Sequence, residues 1–180
     1  YFLEKEIYET EDITQKTLNK YLEYSNISKN KNLNIDKNFL ISENEVPSYI
    51  LEKLKNDKIK KIIITGMGTC YTAAVAISLF MRSKLRAIKP SMLIEPHIAS
   101  EGSAFYLEKN MSDTLVIVIA QSGTTIDTNV YVQMAKDRGA ISLAIANKRE
   151  GDVTFIVDGT LYIGEGRDIE VAVPSTKTYT

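Results

Sequence analysis

The sequence predicts an α/β fold of three layers, in which helices cover both faces of a doubly wound, mostly parallel sheet and further helices precede it. From residue 60 onward, apolar strand patterns alternate with helical patterns. The strand segments are continuous apolar runs, which is typical of parallel strands buried on both faces. Turns rich in glycine, serine and threonine follow the strands. This alternation indicates right-handed crossovers between parallel strands.

The N-terminal part of the chain differs from the rest in composition. Residues 1–42 are predicted to form an N-terminal helix and a linker, and residues 43–180 a single α/β domain that is truncated at its C-terminal end. The helix covers residues 7–24, where apolar side chains recur among charged ones. The linker at 26–38 is rich in asparagine and lysine and has almost nothing to bury.

A second helix is predicted to begin near Pro47, because proline suits the first turn of a helix. Ser42 and Glu45 have the spacing of a capping box, although that box would place Pro47 inside the helix.

The first strand–turn–helix unit begins with the apolar strand at 62–65 and the glycine-rich turn at 66–70. The buried face of the next helix is predicted to carry Ala73, Ile77, Phe80 and Met81. A second strand is predicted at 91–95 and a short helix at 99–105.

The clearest buried strand covers residues 114–119, and its turn occupies 120–125. The following helix is predicted to end at Gly139 and to bury Ile126, Val130 and Met134. A fourth strand is predicted at 141–145 and a fifth at 154–157.

Composition excludes several classes of function. Hydrophobic residues make up 44% and charged residues 25% of the 180 residues, which suits a folded domain. There are 22 lysines and arginines against 23 acidic residues, a formal net charge of −1. This balance gives no general attraction to nucleic acid or to an anionic membrane, and we expect neither as a partner. A bound anion would have to be held by backbone amides, hydroxyl groups and helix ends.

The chain has one cysteine, Cys70, and one histidine, His97. They allow no intrachain disulfide and no structural zinc site, and we expect no metal and no cofactor. No apolar run approaches the roughly 20 residues of a membrane-spanning helix, and the first residues do not form a signal peptide. A reducing cytoplasm fits these features. Because the chain begins at Tyr1 and ends at Thr180 inside a motif, we expect it to be a piece of a longer protein.

Two turns carry the residues that could bind a ligand. In an open parallel sheet, ligands bind beyond the carboxyl ends of the strands, near the point where strand order reverses. The turns at 66–70 and 121–125 follow two such ends and open two helices. Helix N-termini and clustered hydroxyls favour an anion, so a phosphate is the natural ligand.

Two further interpretations of these turns remain open. Serine, threonine and glycine are also ordinary residues of helix caps and tight turns. Alternatively, Gly66 and Gly68 could begin a dinucleotide-binding fingerprint, with Glu95 at the end of the second strand as the ribose-binding acid. The third glycine of that fingerprint is replaced by Tyr71, whose bulk opposes close packing of helix and strand.

Five short segments, in order along the chain, resemble those of one family. They are Lys-Glu-Ile-Tyr-Glu at 5–9, Gly-Thr-Cys-Tyr at 68–71, Ile-Ala-Ser-Glu at 98–101, Gln-Ser-Gly-Thr-Thr-Ile-Asp-Thr at 121–128 and the stretch at 170–180. The family is that of SIS (sugar isomerase) domains, in particular the first SIS domain in the isomerase half of glutamine–fructose-6-phosphate aminotransferases. Its corresponding motifs include Gly-Thr-Ser-Tyr and Gln-Ser-Gly-Glu-Thr-Ala-Asp-Thr.

The resemblance implies a flavodoxin-like SIS fold that binds a phosphorylated ketose or aminosugar similar to fructose 6-phosphate. The implied substrate-binding residues are Thr69, Cys70, Gln121, Ser122, Gly123, Thr125, Val173 and Ser175. No catalytic residue is expected in this chain, because the family's acid–base glutamate, ring-opening histidine and Schiff-base lysine lie further along. The resemblance also implies a parent enzyme of aminosugar phosphate synthesis with a second SIS domain, assembled as a homodimer.

Departures from the family pattern leave the sugar open. Cys70 and Ala120 replace family serines, Thr124 replaces a glutamate and Pro174 replaces an alanine. Lost hydroxyl donors would weaken phosphate binding, so the parent could act on another phosphosugar. The same residues are compatible with a non-catalytic sugar-phosphate sensor, and with an SIS domain kept only for packing.

Three single residues complete the sequence-based predictions. His97 is interpreted as a turn or surface residue, since acid–base use needs a positioned partner. Glu170 is expected to orient the third binding loop. Lys177 is expected either to attract the phosphate or to lie exposed.

Overall fold

The computed structural model describes residues 2–21 and 40–163, with their side chains except those of Phe2, Leu3 and Glu6. The helices are α1 (Phe2–Tyr21), α2 (Ser48–Lys55), α3 (Thr69–Leu85), α4 (Ala99–Phe105), α5 (Ile126–Asp137) and α6 (Asp152–Ile156). The strands are β1 (Lys61–Gly66), β2 (Leu93–Ile98), β3 (Thr114–Ala120), β4 (Ile141–Ala146) and β5 (Gly159–Tyr162). The predicted linker at 26–38 lies outside the described residues.

The five strands form one parallel sheet in the order β2-β1-β3-β4-β5. Since β1 lies between β2 and β3, Thr65 is level with His97 on one side and with Val118 on the other. The chain crosses from β1 to β2 and then returns past β1 to β3, β4 and β5. Right-handed crossovers in these two directions place α3 on one face and α4, α5 and α6 on the other. The predicted three-layer, doubly wound α/β fold is confirmed.

Two apolar clusters, one on each face, bury the central strands from both sides. Ile62 and Ile64 of β1 pack in the cluster that includes residues of α2 and α3. Ile63 packs in the other cluster, with residues of α4, α5 and α6. Side chains alternate across a strand, so neighbouring isoleucines serve different layers. This explains why β1 and β3 are continuous apolar runs in the sequence.

Helix α1 is joined to the outer strand β5 through a tyrosine. The Tyr21 hydroxyl accepts a hydrogen bond from the Tyr162 N–H (2.8 Å) and donates one to the Tyr162 carbonyl (3.0 Å). Lys20 Nζ lies 2.7 Å from Glu45 Oε1. Burial alone would raise the pKa of Glu45, but hydrogen bonds from Lys20 and Ser42 lower it to about 2. The hydrogen bonds between Ser42 and Glu45 close a turn that precedes α2. Ser42 therefore does not cap α2, whose N-cap residue is Pro47.

The prediction of a fifth strand at 154–157 is wrong. Most of this segment belongs to α6, which begins after Gly151 and buries Val153 completely. The Thr154 hydroxyl donates to the Gly151 carbonyl at 2.7 Å, and Phe155 is 76% exposed. Threonine, phenylalanine and isoleucine favour strands on average. Here the segment forms a helical turn instead, because the helix begins after Gly151 and packs Val153 into the core. The fifth strand follows it as β5.

The predicted buried faces of two helices are partly wrong. In α3, Phe80 is 63% exposed, whereas Ala73 is buried as predicted. In α5, Ile126 is 76% exposed and Val130 is also exposed. The residues buried instead are Ala74 and Ser78 of α3 and Thr128, Tyr131, Val132 and Ala135 of α5. Small side chains let a helix approach the sheet closely, so apolar periodicity alone does not identify the packed face.

Residues 2–21 and 40–163 contain neither a membrane-spanning helix nor a cluster of metal ligands. No helix there is both long and apolar enough to cross a membrane. No group of three or more histidine, cysteine, aspartate or glutamate side chains is placed to hold a metal ion among the same residues.

Candidate functional site

The turns after β1 and β3 lie side by side at the carboxyl edge of the sheet. β1 ends at Gly66 and β3 at Ala120, and the two strands are hydrogen-bonded neighbours. The chain leaves β1 for β2 on one side, whereas β3 lies on the other side of β1. Strand order therefore reverses between β1 and β3, and ligands of open α/β sheets bind at such a point.

Gly66 holds the β1 turn close to the end of β3. A Cβ at this position would lie 2.9 Å from the Cβ of Cys70 and 3.0 Å from the carbonyl oxygen of Ile119. Real Cβ atoms do not approach backbone so closely, so the position requires glycine. Gly66 is therefore the place where the β1 turn packs directly against the end of β3.

The α3 N-terminus begins at a glycine with an unusual backbone. Gly68 has φ +55° and is the N-cap residue of α3. Its carbonyl accepts the Thr72 N–H at 3.1 Å, and the Cys70 N–H bonds to the Met67 carbonyl at 3.1 Å. No side chain caps this helix end, which therefore presents backbone N–H groups and the positive end of the helix dipole.

The β3 turn is held by the segment between β4 and α6. The Gln121 carbonyl accepts the Lys148 N–H at 2.9 Å, and the Gly123 carbonyl accepts the Val153 N–H at 2.9 Å. Gly123 has φ +71°, which favours glycine. A Cβ at Gly151 would lie 2.5 Å from the Ser122 carbonyl oxygen, so the two segments touch backbone to backbone. The turn is thus supported on its outer side.

Ser122 and Thr124 form a pair of hydroxyls at the tip of the β3 turn. Ser122 Oγ accepts hydrogen bonds from the Thr124 N–H (3.3 Å) and the Thr124 hydroxyl (3.0 Å). With its oxygen occupied as an acceptor, the Ser122 hydroxyl has its own proton to donate to a ligand. Thr125 is the N-cap residue of α5, and no side chain caps that helix end either.

The predicted site residues fall into two groups. The structure brings Thr69, Cys70, Gln121, Ser122, Gly123 and Thr125 to the two neighbouring turns. Gln121 and Gly123 are buried, Thr69, Cys70 and Ser122 are half-buried, and Thr125 is exposed. Val173 and Ser175, with the third loop that also holds Glu170 and Lys177, lie outside the described residues.

Sequence reasoning missed three residues that shape the β3 turn. Thr124 stood out in the sequence only as a departure from the family pattern, yet it hydrogen-bonds to Ser122. Asn129 Nδ2 donates to the Gly123 carbonyl at 3.3 Å, and Gly151 supports the turn from outside. The two-residue spacing of Ser122 and Thr124 is a local signal that could have been used. Gly151 comes from a distant part of the chain and gives no such signal.

His97 is not a turn or surface residue, contrary to the prediction. It lies in β2, only 8% exposed, and its Nδ1 is 2.7 Å from the Tyr131 hydroxyl. Burial lowers the pKa of His97, although Glu95 opposes the shift. Glu95 lies in the middle of β2, whereas a dinucleotide-binding fingerprint would require it at the strand end.

The family follows from a match over most of the chain. A sequence model of the SIS domain matches residues 56–180, which include both turns. The chain belongs to the SIS domain family. This SIS domain is 35% identical over 180 residues to glutamine–fructose-6-phosphate aminotransferase (isomerizing) of Fusobacterium nucleatum, with 99% of the chain and 25% of the relative covered. It is 40% identical over 140 residues to the aminotransferase of the same name from Thermococcus kodakarensis, with 76% and 21% covered.

Solved structures show the same fold. The C-terminal domain of glucosamine-fructose-6-phosphate aminotransferase from Francisella tularensis matches with a TM-score of 0.70 and 21% identity, over 99% of this SIS domain and 43% of that chain. Tagatose-6-phosphate ketose/aldose isomerase from Escherichia coli matches with a TM-score of 0.53 and 19% identity, over 66% and 33%. The SIS domain spans about a quarter of the length of the aminotransferases it matches.

Proposed function

We propose that this SIS domain binds a phosphorylated ketose or aminosugar, similar to fructose 6-phosphate, at the turns after β1 and β3. The observation that carries the proposal is that α3 and α5 begin beside each other at the switch point and neither has a side-chain cap. Two helix N-termini supply N–H donors and a positive potential, which stabilise a phosphate without any arginine or lysine.

Each residue of the two turns has a role in this proposal. The hydroxyls of Thr69, Ser122 and Thr125 donate hydrogen bonds to the phosphate oxygens. The Cys70 thiol adds a weaker hydrogen-bond donor. The buried Gln121 side chain orients the ligand at the base of the β3 turn. Gly123 lets the backbone approach the phosphate closely. Val173 and Ser175 are proposed to contact the sugar itself, as the family resemblance implies.

We further propose that the parent protein is an aminosugar-forming isomerase of the aminotransferase type. The aminotransferases that the chain matches are enzymes by name, and this domain corresponds to about a quarter of each. In this proposal the domain holds the substrate in position, and positioning by itself lowers the barrier of a reaction. Proton transfer between neighbouring sugar carbons would fall to residues outside this chain, in a second SIS domain or a C-terminal tail. A cytoplasmic homodimer is part of the same proposal.

A thermal-unfolding experiment tests the binding. Fructose 6-phosphate, glucosamine 6-phosphate and unphosphorylated fructose are each added to the protein that carries this domain. A phosphosugar present at 100 times its Kd stabilises the folded state by about 2.7 kcal/mol, or several °C in Tm. We expect both phosphosugars to raise Tm, fructose to leave it unchanged and Ser122→Ala to remove the rise.

The matched control is Ser83→Ala, which removes an exposed serine of α3 outside the two turns. It should retain the full rise. If Ser122→Ala keeps the rise as well, the phosphate does not bind at the β3 turn and the proposal is wrong. If only another phosphosugar raises Tm, the site assignment stands and the substrate changes. Binding without turnover would favour a sensor.

A further inference from the structure

A second cavity opens along the outer edge of β2, between α3 and α4. Its volume is about 500 Å³, within the range of small-molecule sites. β2 is the edge strand of the described sheet, and its edge is closed to strand pairing by Pro96, which has no N–H, and by Arg82. Arg82 Nε donates to the Ile94 carbonyl at 2.5 Å. The cleft is thus shaped to exclude another strand while leaving room for a small molecule.

Contacts with neighbouring side chains fix the positions of Glu95 and His97, two polar residues that line the cavity. Glu95 Oε2 lies 3.5 Å from His97 Nε2 and 3.7 Å from Lys61 Nζ. On its other side, the His97 ring is fixed by the 2.7 Å contact of Nδ1 with the Tyr131 hydroxyl. Both ring nitrogens of His97 are therefore engaged, and they hold the Glu95 carboxylate in a defined position from which it can accept hydrogen bonds. Neither residue belongs to the phosphosugar site proposed above.

The charged groups at this cavity sum to −1, with Glu95, Glu101 and Glu108 against Lys61 and Arg82. Glu95 is matched by Lys61, whose Nζ also contacts the exposed Glu108. The remaining charged groups that line the cavity, Arg82 and Glu101, have opposite signs. A phosphate would lose hydration and meet the two carboxylates of Glu95 and Glu101. A cation would lose hydration in return for the attraction of a single excess charge. The charges favour a neutral ligand that can both donate and accept hydrogen bonds.

The rest of the wall is aromatic. Tyr71, Phe105 and Tyr106 line the cavity, and the Tyr106 ring centroid lies 5.2 Å from that of His97. Phe105 is 79% exposed, which leaves a large apolar surface in contact with water at the rim. A sugar ring has C–H groups on its faces and hydroxyls around its edge. It can therefore cover aromatic rings while its hydroxyls bond to the carboxylates and the guanidinium.

We propose that this cavity is a second carbohydrate site, for a neutral, unphosphorylated sugar ring. It shares no residue with the turns at 66–70 and 121–125, although Tyr71 follows Cys70 directly in α3. The site does not depend on whether the domain binds a phosphosugar.

A series of ligands with one ring and different charges tests this inference. Glucose, glucosamine in slightly acidic buffer, glucuronate and glucose 6-phosphate are neutral, cationic, anionic and dianionic forms of the same ring. Each is titrated into the isotope-labelled protein that carries this domain, and amide NMR shifts are followed. We expect glucose to shift the amides of β2 and α4 and to bind more tightly than the three charged rings. Tighter binding of a charged ring as reported by the β2 and α4 amides, or no shift of these amides with glucose, would overturn the inference. Shifts at 66–70 and 121–125 with glucose 6-phosphate report the phosphosugar site instead.

Two equally exposed phenylalanines provide a matched pair of variants. Phe105→Ala should weaken glucose binding about threefold to tenfold, because it removes an aromatic face from the rim. Phe155→Ala in α6, where the ring is 76% exposed but outside the cavity, should leave glucose binding unchanged. Equal weakening by both variants would contradict the site. Glu101→Gln gives a further check, because replacing one of the two acceptor oxygens by an NH2 group, with loss of the charge, should also weaken binding.

Ser122→Ala separates the two sites. It should leave glucose binding intact, even if it abolishes the response to fructose 6-phosphate. If Ser122→Ala removes the glucose shifts, glucose occupies the phosphosugar site and the second site does not exist. If no phosphosugar binds while glucose still does, the proposed function fails and the second site stands.

Discussion

At the scale of single residues, Ser122 depends on its neighbour Thr124. In the family motif that this turn resembles, the neighbour is a glutamate. Here the threonine donates two hydrogen bonds to Ser122 Oγ, from its N–H and its hydroxyl. A hydroxyl whose oxygen already accepts two bonds is oriented to donate its proton. Thr124 is therefore a positioning residue for the proposed phosphate contact.

Substitution of Thr124 tests this dependence. Thr124→Val keeps the shape of the side chain and removes its hydroxyl, so we expect phosphosugar affinity to fall about threefold to tenfold, the cost of one ordinary hydrogen bond. Thr124→Ser retains the hydroxyl and should keep the affinity. Titration calorimetry of the two variants measures the difference. Equal affinities would show that the Thr124 hydroxyl does not orient Ser122.

At the scale of elements, the β3 turn is shaped by a segment far away in sequence. The carbonyls of Gln121 and Gly123 are bonded to Lys148 and Val153, and Gly151 lies against the Ser122 carbonyl. The start of α6 thus serves as a support for the turn. This arrangement gives a structural role to a five-residue helix whose buried residue is Val153.

Gly151→Ala tests the support of the turn. The added Cβ would lie 2.5 Å from the Ser122 carbonyl oxygen, so the turn has to move. We expect a loss of stability of about 1–3 kcal/mol and at least a tenfold loss of phosphosugar affinity. Unfolding curves and titration calorimetry measure the two effects separately.

Gly159→Ala is the matched control for that variant. Its Cβ would meet the Glu45 carbonyl oxygen at 2.5 Å, a clash of the same size at the start of β5. Stability should fall similarly, but phosphosugar affinity should not change in the molecules that remain folded. Loss of affinity in both variants would indicate a general effect of instability.

At the scale of the whole molecule, Asp158 connects elements from both faces of the sheet. It accepts hydrogen bonds from Lys136 Nζ of α5 (2.9 Å) and from the N–H and hydroxyl of Ser142 in β4 (2.8 and 2.9 Å). Burial together with the Asp158 charge raises the pKa of Tyr49 in α2, on the other face of the sheet. Burial alone would raise the pKa of Asp158, but the bonds from Lys136 and Ser142 outweigh it and lower the pKa.

Asp158→Asn should destabilise the fold by about 2 kcal/mol, which corresponds to roughly 4–8 °C in Tm, because Lys136 loses its charged partner. A carboxylate whose pKa is lowered by folding contributes stability above its ordinary pKa and loses it at lower pH. The difference in the free energy of unfolding between the wild type and the variant should therefore be largest at neutral pH and should shrink as pH falls below 3.8.

Chemical unfolding at several pH values measures that difference. Asp137→Asn, in the exposed last turn of α5, is the control and should change stability little at any pH. A difference that stays constant down to strongly acidic pH would show that ionised Asp158 does not stabilise the fold.

The local sequence pattern was sufficient to predict most strands of the sheet, but it gave wrong predictions at two places. Strands β1 and β3 were predicted because each residue in them meets an apolar layer. The segment at 154–157 has strand-forming residues but forms part of a helix, because Gly151 and Val153 fix a turn there. His97 has no local signal of burial; its place is set by Tyr131, which is 34 residues away.

The order of apolar runs and glycine-rich turns along the chain was enough to predict a doubly wound α/β domain and the two turns of the candidate site, since each depends on residues that are close in sequence. Contacts between distant segments decided the rest. The support of the β3 turn by Gly151, the buried imidazole of His97 and the cavity beside β2 arise where separate elements pack together. Such contacts depend on side-chain volume and on how closely two backbones can approach each other. The hydrophobic periodicity of a single segment predicts neither.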